Sequence, residues 1–373
     1  MASVNINTRI TLNQLAHAVA TVGKDRTIIA RGEPGIGKSA TLSTLRKMFP
    51  TYKAVYMDCQ LLLDQGDFFY ITIEVTEAGS KIAKRVPLED FDFSDGVPVI
   101  FMADEIGKSN KGVMNVLLTL IYDRRIGNKY LPEGSMVFGT TNLSSDGVGD
   151  FIAAHARSRV ILTTVDKPRA GFNHDGSIDA DSWGYWAVGA DIADELLAWV
   201  KITPRCLDSY LDHTGKEKWD NPYAFHPTQG AESYVCGRTL HAASDIIKQR
   251  SVLGAELTLS LLAGACGESF ARDISAFFVV KDRLTSIQAI VASPESAAIP
   301  AASDAVAQCV TVFNLITQTK EDTVTPFVTY MQRLPKEYQA LFAKSVMATP
   351  QKQYAAIKCD NFRKWAMANH WMF

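Results

Sequence analysis

Eight residues, Gly32-Glu33-Pro34-Gly35-Ile36-Gly37-Lys38-Ser39, spell G-x-x-x-x-G-K-[ST] in full. A loop of this composition turns several backbone N–H groups toward one point, because its glycines carry no side chain to hold an anion away. The positive end of a helix dipole behind the loop faces the same point. The motif therefore needs a strand before it and a helix after it, and both are predicted. Residues 27–30 are a short apolar run, and residues 40–49 have helical character up to Pro50. On this reading Gly32, Glu33, Pro34, Gly35, Ile36, Gly37, Lys38, Ser39 and Ala40 bind the phosphates of ATP. Lys38 would bridge the β- and γ-phosphates, and the Ser39 hydroxyl would ligate Mg2+.

The surrounding pattern predicts an α/β fold. Residues 97–103 are almost wholly apolar, as in a strand buried on both faces of a parallel sheet. Residues 53–58, 135–141 and 160–165 read as further strands. Thr11 is placed to cap a helix carrying Leu12, Leu15 and Val19 on one side. Val113, Val116, Leu117 and Leu120 recur at helical spacing in residues 111–122. Strands alternating with helices argue for a layered α/β domain over residues 1–165. Two insertions interrupt it: a hairpin from residues 68–76 and 81–86, and a smaller one within 125–133. After residue 166 the pattern is mostly helical, with helices predicted at 190–200, 239–250 and 255–265. Residues 291–305, rich in Ala, Pro and Ser, read as a linker or loose loop. The domain plan is thus 1–165, 166–290 and 291–373.

Other residues gain meaning beside the glycine-rich loop. The strand at 97–103 ends in Asp104-Glu105. Asp104 would hold Mg2+, usually through water. Glu105 would be the general base that activates a water. The run Phe138-Gly139-Thr140-Thr141-Asn142 would deliver Asn142 to the carboxyl edge of the sheet, where such sheets bind ligands. Its amide could orient that water. Arg157 and Arg159 precede the strand at 160–165, and a guanidinium there could reach the phosphate of a neighbouring subunit. Arg238 precedes a helix in the second region and could touch the phosphates from that side.

Together these residues resemble the AAA+ ATPases, and within them the MoxR family. Gly32 to Ser39 looks like the Walker A motif. Asp104-Glu105-Ile106 and the segment Asn115 to Gly127 are similar to the Walker B motif and the helix after it. Leu63 to Phe68 resembles the opening of the helix-2 insert. Asn142 falls at sensor 1, Arg159 at the arginine finger with Arg157 beside it, and Arg238 at sensor 2. The chain departs from the family's pattern at Leu143 and Gly237, where relatives carry proline, and in lacking a phenylalanine after Arg159. The resemblance implies an AAA+ core with a parallel sheet, an insert hairpin and a helical lid. It also implies a hexameric ring, nucleotide held between subunits, and a chaperone-like remodelling role. A protein carrying a von Willebrand factor A domain is the partner it suggests.

Composition narrows the alternatives. The 373 residues are 47% hydrophobic and 21% charged, a globular balance. A net charge of −2 gives no support to a general nucleic-acid or membrane-surface binder. No apolar run approaches the roughly 18–20 residues of a membrane span. The first residues show no signal-peptide pattern. Six widely spaced cysteines without a CxxC pair suit free thiols in a reducing, cytoplasmic setting. A nucleic-acid motor or loader and a slow-turnover, nucleotide-gated scaffold stand as rival readings.

Overall fold

Six parallel strands make the sheet that carries the glycine-rich loop. The computed structural model describes residues 9–143, 158–213, 219–229 and 232–370. Contacts divide the chain into two compact units, Met1–Lys167 and Pro168–Phe373.

In the first unit the strands are β1 (Arg9–Ile10), β2 (Thr27–Arg31), β3 (Lys53–Asp58), β6 (Val99–Asp104), β9 (Met136–Thr141) and β10 (Val160–Val165). Their order across the sheet is β1-β10-β2-β9-β6-β3, and every neighbouring pair is parallel. The expected α/β class with a parallel sheet is what the chain adopts. Helices α1 (Leu12–Val22), α2 (Ala40–Met48) and α3 (Lys111–Asp123) cover the sheet.

Alternation along each strand explains the two-sided core. Ile29, Phe101, Ala103 and Val137 face one cluster, together with Val113, Val116, Leu117 and Leu120 of α3. Ile28, Ala30, Ile100, Met102 and Phe138 face the other, with Leu15 and Val19 of α1 and Leu42 and Leu45 of α2. All six residues of β6 are buried. Truncating the fully buried Phe101 to Ala would cost about 3–5 kcal/mol. Thr11 caps α1 as its sequence suggests, in a reciprocal pair with Gln14.

The two insertions are hairpins, β4 (Phe69–Val75) with β5 (Lys81–Pro87), and β7 (Arg125–Ile126) with β8 (Lys129–Tyr130). The first is exposed along most of its length, including Ile71, Ile73 and Val75. Lys84 pairs with Glu74 across it, and Arg85 lies over the Phe69 ring near its base.

The second unit is helical. The helix expected at 190–200 forms as α5 (Asp194–Ile202), starting four residues later than expected, and a separate short helix, α4 (Trp183–Gly189), precedes it. Asp191, with φ 50°, stands in the left-handed region between them, so the apolar pattern continues while the helix does not. Residues Asp194 to Val200 of α5 are all buried. One contiguous core runs from Ala170 to Trp365. The Ala/Pro/Ser-rich stretch, mostly exposed, is tied to it. Arg333 donates to the carbonyls of Pro294 and Ala297 at 2.8 Å each, and the Tyr330 hydroxyl donates to the Ala298 carbonyl at 2.7 Å. The cysteines are free and buried. Among the described residues no helix is long and apolar enough to cross a membrane.

Candidate nucleotide site

The sheet order brings the site together. β2, β9 and β6 lie side by side, so the segments leaving their carboxyl ends converge. These segments are the loop Gly32–Ser39, the residue Asn142, and the pair Asp104-Glu105. Gly37 adopts φ +100°, which an L side chain rarely takes. Gly32 is packed so tightly that a Cβ there would lie 2.8 Å from the Ile36 Cδ1 and 3.1 Å from the Val165 carbonyl oxygen. The loop thus uses its glycines both for the turn and for close approach.

Lys38 is buried, with 6% of its surface exposed. Its Nζ donates to the carbonyls of Gly32 and Glu33 at 2.8 Å each and to Asn142 Oδ1 at 3.0 Å. The loop is therefore wrapped around its own ammonium group. An isolated buried cation would be costly, and these oxygens offset that cost. An anion at the mouth of the loop would add the matching charge.

Ser39 ends the loop. Its hydroxyl does not cap α2 but donates to Asp104 Oδ2 at 2.6 Å. The Tyr56 hydroxyl donates to the same oxygen at 3.0 Å. Asp104 Oδ1 accepts from the Thr140 hydroxyl and from the Glu105 backbone N–H at 3.1 Å. Burial pushes the Asp104 carboxyl up. The bonds from Ser39, Thr140, Tyr56 and Glu105 outweigh it and hold the group below its usual range. A hydroxyl beside an ionised carboxylate is a hard oxygen-donor set, the kind Mg2+ takes. Ser39 and Asp104 would hold such an ion, directly or through its waters.

Glu105 takes φ 52° and ψ 38°, an uncommon conformation for a residue with a Cβ. This kink ends β6 and turns the chain into a short 3-10 segment, Ile106–Lys108. Its side chain meets Asn142, whose Nδ2 donates to both carboxylate oxygens, at 3.0 and 3.1 Å. Lys108 Nζ lies 3.2 Å from Glu105 Oε2. Lys38, Asn142 and Glu105 thus form a continuous chain of hydrogen bonds.

Arg159 falls elsewhere in the first unit. Arg159 stands just before β10, and Val160 is level with Thr27 at the start of β2. It is therefore at the amino edge of the sheet, while the loop leaves the carboxyl edge. Five residues of strand separate the two levels, roughly 16 Å at about 3.3 Å per residue. Its guanidinium lies over the Tyr122 ring, 4.6 Å from the centroid. Arg157 lies outside the described residues. Arg238 is exposed in the first turn of α6 (Gly237–Lys248), in the second unit.

Tyr56, Thr140 and Lys108 were not singled out by the sequence. Thr140 lies in the run ending at Asn142, and a hydroxyl two residues before it was the available signal. Tyr56 reaches Asp104 only because β3 pairs in register with β6, which nothing local in the sequence announces.

No protein-family model matches the chain, and no curated protein matches it. Among solved structures, the Thermotoga maritima RuvB Holliday junction branch migration motor aligns with a TM-score of 0.35 and 15% identity, over 76% of this chain and 80% of that one. NtrX from Brucella abortus aligns with a TM-score of 0.32 and 12% identity, over 73% of this chain and 68% of that one. At such scores the likeness carries no information about substrate. A glycine-rich loop at the carboxyl edge of a parallel sheet, flanked by a carboxylate–hydroxyl pair and a carboxylate–amide pair, is the arrangement this chain itself supplies.

Proposed function

We propose that this protein binds ATP with Mg2+ and hydrolyses it. The observation that carries the reading is the chain Lys38–Asn142–Glu105 beside the Ser39–Asp104 pair. It gathers the Lys38 ammonium, the Asn142 amide and the Glu105 carboxylate around one glycine-rich loop, which supports the roles given to them next. The loop N–H groups and Lys38 would hold the β- and γ-phosphates. Asn142 would orient a water against the terminal phosphorus, and Glu105 would take its proton as the bond to ADP breaks. Mg2+ held by Ser39 and Asp104 would neutralise charge on the phosphate oxygens.

Arg159 stands too far along the sheet to serve the phosphate of its own loop. We read it as a group supplied to a neighbouring copy, which fits an AAA+ ring of the MoxR type acting on a protein partner. A von Willebrand factor A-domain protein is the partner class that reading favours. The net charge of −2 weighs against a nucleic-acid motor.

Two variants test the reading. Lys38→Ala should abolish binding of a fluorescent ATP analogue. Glu105→Gln should keep that binding but lower turnover by about 100-fold or more, the usual worth of a positioned base. Turnover that survives in Glu105→Gln would refute Glu105 as the base.

A further inference from the structure

We propose that Tyr122 is a positioning residue for Arg159, presenting its guanidinium to the nucleotide phosphate of a second copy of this chain. The proposal rests on the reading of Arg159 just given.

Arg159 opens onto a cleft of about 660 Å3 also lined by Asp25, Arg26, Thr27, Tyr122 and Asp123. Two carboxylates are therefore nearby, yet among the described residues neither pairs with it. Asp123 is engaged instead by Arg125, at 3.2 Å. The recorded partner of Arg159 is the Tyr122 ring. This difference has a chemical consequence. A carboxylate would neutralise the guanidinium and would have to be displaced before a phosphate could bind. An aromatic face restrains the plane of the group and leaves its charge and its N–H donors free.

The ring is itself well placed to serve as a fixed support. Tyr122 packs against the core at the end of α3, whose residues Val113, Val116, Leu117, Leu120 and Ile121 are buried. That helix end is pinned to β2. The Thr27 hydroxyl donates to the Ile121 carbonyl at 3.1 Å and accepts from the Arg124 guanidinium at 3.0 Å. Arg124 also donates to the Gly23 carbonyl at 3.0 Å. The Tyr122 hydroxyl, by contrast, is buried and has no hydrogen-bond partner among the described residues. Burial raises its pKa, against the pull of Arg159, so the phenol stays neutral at physiological pH. The part of Tyr122 that has a role is the ring face.

The test compares Tyr122→Leu, Tyr122→Phe and Arg159→Ala in the full chain. ATP turnover is measured against ATP concentration, and affinity for a fluorescent ATP analogue is measured alongside. A ring–guanidinium contact of this kind corresponds to about two- to thirtyfold in rate. Tyr122→Leu should lower kcat by that factor with KM and nucleotide affinity unchanged. Tyr122→Phe should restore kcat to within about twofold, because the ring face remains. Adding Tyr122→Leu to Arg159→Ala should cost nothing more. The proposal falls if Tyr122→Leu keeps full kcat while Arg159→Ala loses it. It falls equally if Tyr122→Phe fails as Leu does, or if nucleotide affinity drops in step with turnover. Full turnover in Arg159→Ala would overturn the arginine reading itself, and the role of Tyr122 with it.

Discussion

Replacing Asp194 by Asn should remove a loss of stability that the helical unit otherwise suffers as pH rises, and the structure gives the direction of that effect and its order of magnitude. Asp194 and Glu195 open α5 and are 6% and 2% exposed. One ammonium serves both: Lys281 Nζ is 2.6 Å from Asp194 Oδ1 and 3.0 Å from Glu195 Oε2. Arg250 is 4.0 Å from Glu195 and is engaged more closely by Asp282. Among the described residues, Asp194 Oδ2 is buried without a hydrogen-bond partner. Burial, then the neighbouring Glu195 charge, pushes the Asp194 carboxyl up from 3.8 to about 7, while Glu195 is held low despite its burial by its bonds to Asp194 and Lys281. Below pH 4 Asp194 is protonated in both folded and unfolded chains. Between about 4 and 7 the folded chain keeps a proton that the unfolded chain has lost, so stability falls as pH rises through that window. Integrated from pH 5 to 8, this is a loss of roughly 3 kcal/mol. Asparagine has the same shape and does not titrate. The difference in melting midpoint, variant minus wild type, should therefore grow by roughly 5–10 °C between pH 5 and 8 for a unit of this size. All six tryptophans lie beyond residue 168, so tryptophan fluorescence reports this unit alone. Wild-type and Asp194→Asn midpoints that run parallel from pH 5 to 8 would refute the proton-sharing account.

Two further outcomes follow from the geometry. Gly37→Ala forces a side chain onto φ +100°, at a cost of roughly 1–2 kcal/mol in that conformation. It should weaken binding of a fluorescent ATP analogue by about tenfold or more without moving the tryptophan-detected melt. Arg333→Ala releases the carbonyls of Pro294 and Ala297. It should destabilise the helical unit by about 1–3 kcal/mol, seen as a lower tryptophan-detected melt, and open residues 293–304 to limited proteolysis, read by mass spectrometry of the fragments.

What the sequence made legible was local. The loop from Gly32 to Ser39 is a contiguous motif, and the strand before it and the helix after it follow from its own mechanics. The strands at 53–58 and 160–165 match the observed bounds, because apolar runs between turn residues leave little freedom. What stayed hidden depends on pairing between distant segments. Tyr56 joins the site through the register of β3 on β6. The left-handed turn at Glu105 is set by the need to leave β6 toward Asn142, and no residue type marks it. The stretch 291–305 has the composition of a linker, yet Arg333 and Tyr330 fix it, and a composition rule has no view of a side chain arriving from forty residues away. Asp194 and Glu195 lie in the core because Lys281, nearly ninety residues on, comes to meet them, and nothing local in the sequence announces that pairing.

The same dependence on distant pairing explains why the candidate site works as one object. Asn142 has a single amide, and both ends are used: its oxygen accepts from Lys38 and its nitrogen donates to Glu105. A phosphate that draws the Lys38 ammonium toward itself competes with that oxygen. The amide then loses one of the two contacts that fix its plane, and with it the geometry that occupies both oxygens of Glu105. Lys108, at 3.2 Å from one of those oxygens, remains to hold the carboxylate near the sheet edge. On the proposed reading, phosphate binding at the loop and release of the Glu105 carboxylate would therefore be linked through the Asn142 side chain. The link needs no movement of the backbone, since all four groups stand on segments leaving the adjacent strands β2, β9 and β6.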